Sequence, residues 1–246
     1  MPINIAHRGY SGRFPENTMR AFTEAVAAGA RGIEFDVQLS RDGEPVVIHD
    51  EKLGRTAEGS GWVKDYTWKE LRLLDAGGWL DEAYRGERIP HLEEVLDLGA
   101  AEGLLMNLEL KTGTLPYPGL AEKAVKMIDR KRIVDRMIVS SFNHRTVQEL
   151  AGMNPDLPTA IIYAAGMFEP WNYAGLVNAG ALHPGWDFVD QYLVDGAHRA
   201  GMLVNTWTVN ESEQMDAMIA LGVDGIITNF PNRLAEKLRN DSHTVE

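Results

Sequence analysis

The sequence predicts a single (β/α)8 barrel that occupies residues 1–246. Short β-branched runs alternate with amphipathic segments, and the alternation gives about eight strand–helix units. The length of 246 residues also matches that of a typical barrel of this kind. An open doubly wound sheet is the competing interpretation, but no GxGxxG motif follows the first predicted strand.

The predicted elements follow one another along the chain at regular intervals. Strands are expected at Asn4–Ala6, Gly32–Val37, Pro45–Ile48, Leu105–Lys111, Met137–Ser141, Thr159–Tyr163, Ala181–His183, Leu203–Trp207 and Gly225–Thr228. Helices are expected at Asn17–Ala28, Leu92–Ala101, Leu120–Asp129, His144–Gly152, Gln191–Ala200, Glu211–Leu221 and Asn232–Arg239. Left-handed C-caps are expected at Gly29, Gly201 and Gly222. Asn210 is the expected N-cap of the helix that begins at Glu211.

One interval, from about Lys52 to Pro90, interrupts this alternation. It is far longer than the roughly 2–6 residues that are usual in a βα loop. We therefore expect a small insertion after the second strand, on the face of the barrel where active sites lie. The insertion contains Trp62, Trp68 and Trp79, for which we expect a core or lid role.

Composition and charge exclude several classes of protein. The chain has no cysteine, which excludes disulfides, zinc thiolates, iron–sulfur clusters and cysteine nucleophiles. Its 24 Lys and Arg against 36 Asp and Glu give a net charge of −12, which argues against nucleic acid or an anionic membrane as a partner. Neither a secretory signal nor an apolar stretch of about 18 residues is apparent. We expect a cytoplasmic protein without stable membrane association; the sequence does not predict an oligomeric state.

Carboxylates mark the second predicted strand and its neighbour. Glu34 and Asp36 are two residues apart, so their side chains point to one face of the strand. Two such charges repel each other unless a cation lies between them, and Glu109 on the next core strand could supply a third carboxylate. An all-oxygen ligand set suits one divalent cation, Mg²⁺ or Ca²⁺. A pair of surface acids on an edge strand is the alternative, but the apolar residues that flank the pair favour a buried strand.

Histidines and cations end other predicted strands. His7 and His49 each close a short apolar run, and two neutral imidazoles could provide an acid and a base near pH 7. Arg8 follows His7 directly and has the planar fork that suits a phosphate group. Lys111 shares a strand face with Glu109 and is either an anion-binding residue or one half of a salt bridge within the barrel.

Three further residues are candidates for the same pocket. Glu16 lies in the loop after the first strand, where it either orients His7 or the substrate, or simply favours the start of a helix. Trp207 ends a predicted strand, and His183 closes another one just before a proline. A divalent cation, two histidines and two cationic side chains together describe a phosphoryl-transfer site. No P-loop motif is present, so hydrolysis of a phosphodiester fits better than chemistry on a nucleoside triphosphate.

At these residues the sequence resembles the glycerophosphodiester phosphodiesterase family. The matching segments, in chain order, are AHRGYSGRFPENTMRAF, GIEFDVQLSRDGEPVVIHD, LGRTAEGSG, LDAGGW, GERIPHLEEVL, NLELK, WTVN and DGIITNFP. They extend from His7 to Pro231, and the ordered set HRG, PENT, ExD and HD is far more specific than any one motif alone.

The resemblance implies a (β/α)8 barrel with a small insertion after the second strand. It also implies hydrolysis of glycerophosphodiesters, such as glycerophosphocholine or glycerophosphoethanolamine, to glycerol 3-phosphate and an alcohol. By position, His7 and His49 match the acid/base pair of the family, and Glu34, Asp36 and Glu109 match its ligands to Mg²⁺ or Ca²⁺. Arg8 and Lys111 match its phosphate-binding residues, Trp207 matches an aromatic near the glycerol, and Glu16 matches a supporting residue in the ENT motif.

Three other functions remain as alternatives. A phospholipase-type enzyme that cleaves lysophospholipids or phosphoinositides would need an exposed apolar or basic rim. A catalytically silent binding module would have lost a histidine or a metal ligand, and none is missing. A metal-dependent sugar isomerase would need further acids on later strands, where the sequence offers only Ser141, Asn205 and Trp207.

Overall fold

The computed structural model describes the backbone of residues 1–242 and the side chains of residues 1–240. The strands are β1 Ile3–His7, β2 Gly32–Leu39, β3 Pro45–Val47, β4 Leu105–Leu110, β5 Met137–Ser141, β6 Thr159–Tyr163, β7 Ala181–Pro184, β8 Leu203–Thr206 and β9 Gly225–Thr228. The α-helices are α1 Met19–Ala27, α2 Trp68–Leu71, α3 Leu92–Ala101, α4 Leu120–Lys131, α5 His144–Met153, α6 Pro170–Leu176, α7 Gln191–Arg199, α8 Ser212–Leu221 and α9 Pro231–Ser242.

Eight parallel strands form a closed barrel. Their order around the barrel is β1, β2, β4, β5, β6, β7, β8 and β9, and β9 pairs with β1 to close it. β3 lies outside this ring and pairs in antiparallel fashion with the end of β2, where Val37 lies opposite Val47. The predicted (β/α)8 barrel is therefore confirmed.

Apolar packing between the strands and the outer helices forms two large clusters. One cluster joins the first part of the barrel to α1, α3 and α4, and it includes Phe22, Phe35 and Leu96. The other joins the later strands to α7 and α8, and it includes Ile161 and Met215. Every residue of β2 is buried, as is usual for a strand with both faces covered. This packing holds the strand ends at fixed positions.

Strand register determines which polar side chains meet at the carboxyl end of the barrel. His7 lies opposite Glu34 across the β1–β2 pair. Across the β2–β4 pair, Glu34 lies opposite Asn107 and Asp36 lies opposite Glu109. Because side chains alternate along a strand, these residues point to the same side of the sheet.

The segment that was predicted to be an insertion after the second strand lies between β3 and α3. It contains α2 and two short 3₁₀ turns, Val63–Asp65 and Glu82–Tyr84. Val63 and Leu71 pack in a small apolar cluster that also includes Val46 of β3. Trp62 and Trp68 are half-buried, whereas Trp79 is 42% exposed, so Trp79 does not have the core role that was one expectation for it.

Local predictions failed where short elements carry little periodicity. The helices α2 and α6 were not predicted; α2 has only four residues between Thr67 and Arg72, which is too few for a periodic apolar pattern. The N-cap prediction for Asn210 was wrong, because Glu211 caps α8 through a capping box with Gln214. The Asn210 side chain instead accepts a hydrogen bond from a backbone N–H after β9.

The remaining local predictions concern the helix ends and the membrane. Gly29, Gly201 and Gly222 all have the positive φ that was expected of them, and Gly222 is the C-cap of α8. Within residues 1–242, no helix combines the length and the apolar character needed to cross a bilayer.

Candidate active site

A cavity of about 190 Å³ lies at the carboxyl end of the barrel. One part of its wall, the charged wall, comprises His7, Arg8, Glu34, His49, Glu109 and Lys111. The other part, the apolar wall, comprises Phe142, Ile162, His183, Trp207 and Ile227. Asn107 and Thr208 complete the lining. The structure therefore brings most of the sequence-predicted site residues into one cavity.

Three carboxylates converge at the charged wall. One oxygen from each of Glu34, Asp36 and Glu109 can be chosen so that all three lie within 4.8 Å of one another. Glu34 and Asp36 are buried, and the side chain of Glu109 is only 12% exposed. Register explains the convergence, because Asp36 and Glu109 are direct partners across β2 and β4.

The pKa values of these three carboxyl groups reflect burial and the repulsion between their negative charges. Burial, and then repulsion from Asp36 and Glu109, raises the pKa of Glu34 well above its usual range. Burial and repulsion from Asp36 also raise the pKa of Glu109 to about 7. Burial opposes ionisation of Asp36 too, but the nearby Arg8 and Lys111 lower its pKa overall. Among the described residues, Asp36 Oδ1 is buried without a hydrogen-bond partner. The cluster has the chemistry of a divalent cation site.

Arg8 is held on several sides in a left-handed backbone conformation with φ +56°. Its backbone N–H donates to Glu34 Oε2 at 2.9 Å, and its Nη1 donates to Glu16 Oε1 at 2.8 Å. Its Nε lies 3.3 Å from Asp36 Oδ2. Lys111 lies just after β4, with its Nζ 3.0 Å from Glu109 Oε1 and 3.7 Å from Asp36 Oδ1. Both cations are therefore next to the carboxylates and also on the cavity wall.

Glu16 and Asn17 form hydrogen bonds to charged residues of the site without lining the cavity. The Glu16 carboxylate is bonded to Arg8 and is not part of the cavity lining. Asn17 was expected at the start of a helix, but the N-cap of α1 is Thr18. Asn17 has φ +56°, and its amide donates to Asp36 Oδ2 at 2.9 Å. Both residues therefore position charged groups of the site.

The two histidines of the charged wall have different neighbours. His7 Nδ1 lies 2.7 Å from Asn229 Oδ1, and its Nε2 lies 3.9 Å from Glu34 Oε2. Burial, and then the charge of Arg8, lowers the pKa of His7 to about 4. His49 Nδ1 lies 2.7 Å from Asp50 Oδ1. Because an amide or carboxylate oxygen only accepts, each histidine carries its proton on Nδ1 and leaves Nε2 for other contacts.

The apolar wall is built by residues that end or follow the later strands. Trp207 follows β8, and its indole N–H donates to the His183 carbonyl at 2.8 Å. The ring of Phe142 meets that of Trp207 edge to face, with centroids 5.5 Å apart. His183 lies on the cavity wall as predicted; burial lowers its pKa to about 3, so it is neutral.

Several wall and supporting residues were not predicted: Asp50, Arg55, Asn107, Phe142, Ile162, Thr208, Ile227 and Asn229. Asn107 lies two residues before Glu109 on β4, so strand alternation could have identified it. Phe142 directly follows β5, where barrel sites take their residues. Asn229 meets His7 across 222 residues of sequence, and no local pattern signals that contact.

Comparison with known proteins identifies the family. The model of the glycerophosphoryl diester phosphodiesterase family matches residues 7–233. The chain belongs to this family. Its members include a glycerophosphodiester phosphodiesterase of Caldanaerobacter subterraneus subsp. tengcongensis, which is 45% identical over 96% of this chain and 97% of its own length.

Solved structures agree with this assignment to the glycerophosphoryl diester phosphodiesterase family. A phosphodiesterase of Oleispira antarctica, solved in complex with the product sn-glycerol-3-phosphate, is 30% identical and covers 97% of each chain with a TM-score of 0.89. A glycerophosphodiester phosphodiesterase of Agrobacterium tumefaciens is 26% identical, covers 96% of this chain and all of its own, and has a TM-score of 0.84. The prediction of an enzyme of this phosphodiesterase family is confirmed.

Proposed function

We propose that the protein hydrolyses glycerophosphodiesters, such as glycerophosphocholine or glycerophosphoethanolamine, to glycerol 3-phosphate and an alcohol. The observation that carries this proposal is a cavity lined by two histidines, two cations and two carboxylates, with Asp36 as a third carboxylate within 4.8 Å of the other two. The related Oleispira antarctica enzyme was solved with sn-glycerol-3-phosphate bound, which supports the same product for this chain.

A divalent cation, Mg²⁺ or Ca²⁺, fits the carboxylate cluster. Glu34, Asp36 and Glu109 would hold it, since their oxygens converge and Asp36 Oδ1 has no hydrogen-bond partner among the described residues. The bound cation would offset the charge of these carboxylates and of the phosphate oxygens. Arg8 and Lys111, next to the same oxygens, would bind the phosphate and stabilise the negative charge that develops on it.

The two histidines divide the proton transfers in this proposal. His7 is neutral and has Nε2 free to accept a proton, so it acts as the base on the nucleophile. His49, held at Nδ1 by the Asp50 carboxylate, acts as the acid in this proposal, and its imidazolium form gives the Nε2 proton to the leaving alcohol. The nucleophile is either water or the glycerol hydroxyl next to the phosphate, and the second option gives a cyclic intermediate.

Release of glycerol 3-phosphate from glycerophosphocholine, measured in a coupled assay, tests this function. The protein is treated with EDTA, and then Mg²⁺ or Ca²⁺ is restored. We expect no release after EDTA and recovery with at least one of the two ions. Absence of release with either ion would reject this substrate. Absence of turnover across a panel of other phosphodiesters would favour the binding-module alternative.

The phospholipase-type alternative has one observation in its favour. The insertion exposes three large apolar side chains, Leu73, Trp79 and Leu80. None of these three is part of the cavity lining, however, so glycerophosphodiesters without an acyl chain are the better proposal. Choline release from lysophosphatidylcholine and from glycerophosphocholine, measured side by side, separates the two, because choline is the alcohol that leaves from both. We expect release from lysophosphatidylcholine to be at least about tenfold slower. The cytoplasmic location remains a prediction.

A further inference from the structure

Arg55, in the insertion, joins two carboxylates that each hold a residue of the charged wall. Its Nε and Nη2 donate to Asp50 Oδ2 and Oδ1 at 2.5 and 2.9 Å. Its Nη1 and Nη2 donate to Glu16 Oε2 and Oε1 at 2.9 and 2.8 Å. Paired hydrogen bonds to both carboxylates fix the plane of the guanidinium, which a lysine ammonium would not do.

The Asp50 side of this arrangement reaches His49. Asp50 Oδ1, which accepts from Arg55 Nη2, also lies 2.7 Å from His49 Nδ1. Arg55 therefore fixes the rotamer of Asp50, and Asp50 fixes the tautomer and the ring orientation of His49. Along the path from Arg55 through Asp50 to His49, His49 is the residue that lines the cavity.

The Glu16 side anchors Arg55 to the barrel. Glu16 lies between β1 and α1, and Arg8 donates to the same Oε1 that accepts from Arg55. Hydrogen bonds from Arg55 are the main reason that the pKa of Asp50 falls to about 2. Burial raises the pKa of Glu16, but hydrogen bonds and charge from Arg55 and Arg8 lower it overall. Both carboxylates are therefore ionised, and each can act as a fixed acceptor near neutral pH.

Folding stability does not account for this arrangement. The side chain of Arg55 is 45% exposed, and exposed ion pairs contribute little to the stability of a protein. Arg85 in the same insertion is a close comparison, because it donates two hydrogen bonds to Glu82 and its side chain is 56% exposed. Neither Arg85 nor Glu82 lines the cavity.

We propose that Arg55 is a positioning residue for His49, acting through Asp50, and that the insertion thereby sets the orientation of the general acid. The inference rests on the proposed function, in which His49 Nε2 gives its proton to the alcohol oxygen as the phosphorus–oxygen bond breaks. Loss of Arg55 then weakens proton delivery, whereas Arg8 keeps its contacts with Glu34 and Asp36.

The test compares Arg55→Met with Arg85→Met on two glycerophosphodiesters. Glycerophosphocholine has a leaving alkoxide that needs a proton, whereas the p-nitrophenyl diester of glycerol phosphate has a leaving phenolate that does not. We expect Arg55→Met to lower kcat about tenfold or more on glycerophosphocholine and less than threefold on the p-nitrophenyl diester. Arg85→Met should stay within twofold of the wild type on both, and both variants should keep the wild-type melting temperature within a few degrees.

Two further measurements separate positioning from general damage to the site. In an Asp50→Asn background, Arg55→Met should cause no further loss of kcat on glycerophosphocholine, because the path to His49 is already broken. Guanidinium chloride at tens of millimolar should restore part of the activity of Arg55→Met, whereas NaCl at the same ionic strength should not.

Three results would overturn the assignment of Arg55. These are an unchanged kcat of Arg55→Met on glycerophosphocholine, an equal loss on both substrates, and a full additional loss in the Asp50→Asn background. A wild-type protein that cleaves neither substrate with Mg²⁺ or Ca²⁺ would instead overturn the proposed function. Wild-type activity with an unaffected Arg55→Met would overturn only the inference about Arg55.

Discussion

The charged wall and the apolar wall of the cavity differ in how their side chains are held. On the charged wall, Arg8 contacts Glu34, Asp36 and Glu16, and His49 has a dedicated carboxylate behind it. The apolar wall has fewer polar contacts, such as the bond from the indole of Trp207 to a carbonyl. Charged groups lose favourable hydration when they are buried, so each needs several fixed partners, whereas apolar side chains need only shape.

We infer from this difference that the two walls contact different parts of the substrate. In the proposed function, the charged wall acts on the phosphodiester group, whichever alcohol it carries. The apolar wall can contact only the organic parts of a substrate, since its side chains offer few hydrogen-bonding groups. We therefore expect substitutions in the charged wall to affect turnover and metal binding, and those in the apolar wall to affect substrate preference.

The largest effect is expected from His49→Ala on the charged wall. Loss of the proposed general acid should lower kcat on glycerophosphocholine by roughly 10²–10⁴-fold. Phe142→Ala on the apolar wall, as the matched comparison, should change kcat less than about tenfold. Steady-state kinetics with the coupled assay checks both, and near-wild-type turnover of His49→Ala would sink the assignment of the acid.

The next effect concerns the metal and is expected from Glu34→Gln. Removing one of the three proposed ligands should weaken Mg²⁺ or Ca²⁺ binding at least about tenfold, as measured by calorimetry. Burial and the neighbouring carboxylates raise the pKa of Glu34, so ionisation of this carboxyl opposes folding in the metal-free protein, and the metal-free variant should melt at a higher temperature than the metal-free wild type. Glu93→Gln, at an exposed ion pair with Arg130, serves as the control and should alter neither quantity. Unchanged metal binding in Glu34→Gln would contradict the site.

A smaller effect is expected from Trp207→Ala on the apolar wall. The indole contributes cavity surface and packs against Phe142, so its loss should raise KM for glycerophosphocholine about tenfold. Metal affinity should not change, because Trp207 follows β8, and β8 is not next to β2 or β4, the strands that carry the three carboxylates. If instead Trp207→Ala lowered metal affinity and left KM untouched, the division between the two walls would be wrong.

The smallest effect is a dependence of stability on pH in metal-free protein. Burial and the charge of Asp36 raise the pKa of Glu109 from its usual 4.5 to about 7, so the folded state binds a proton that the unfolded chain releases. This stabilising contribution is fully present below pH 4.5 and is lost as the pH rises to about 7. Melting temperatures in EDTA should fall by roughly 2–8 °C more in the wild type than in Glu109→Gln over this window. Added Mg²⁺ or Ca²⁺ should remove the difference.

The two walls also differ in how far they could be predicted. The residues of the charged wall lie in short motifs on or just after β1, β2, β3 and β4, and paired acids two residues apart signal a shared strand face. The apolar wall gave a signal only at Trp207 and His183. Its other members, such as Ile162 and Ile227, are ordinary strand residues whose exposure to the cavity depends on barrel closure.

The sequence by itself determined the fold class, the insertion and the chemical types at the site. Alternating strand and helix patterns, together with motif spacing, depend on local periodicity, which the chain carries within a few residues. Only the tertiary structure decided the supporting hydrogen bonds. These are the contact of His7 with Asn229, the bond from Asn17 to Asp36, and the bonds from Arg55 to two carboxylates. These contacts join residues up to 222 positions apart, and their partners are set by strand register and loop conformation, which no local pattern specifies.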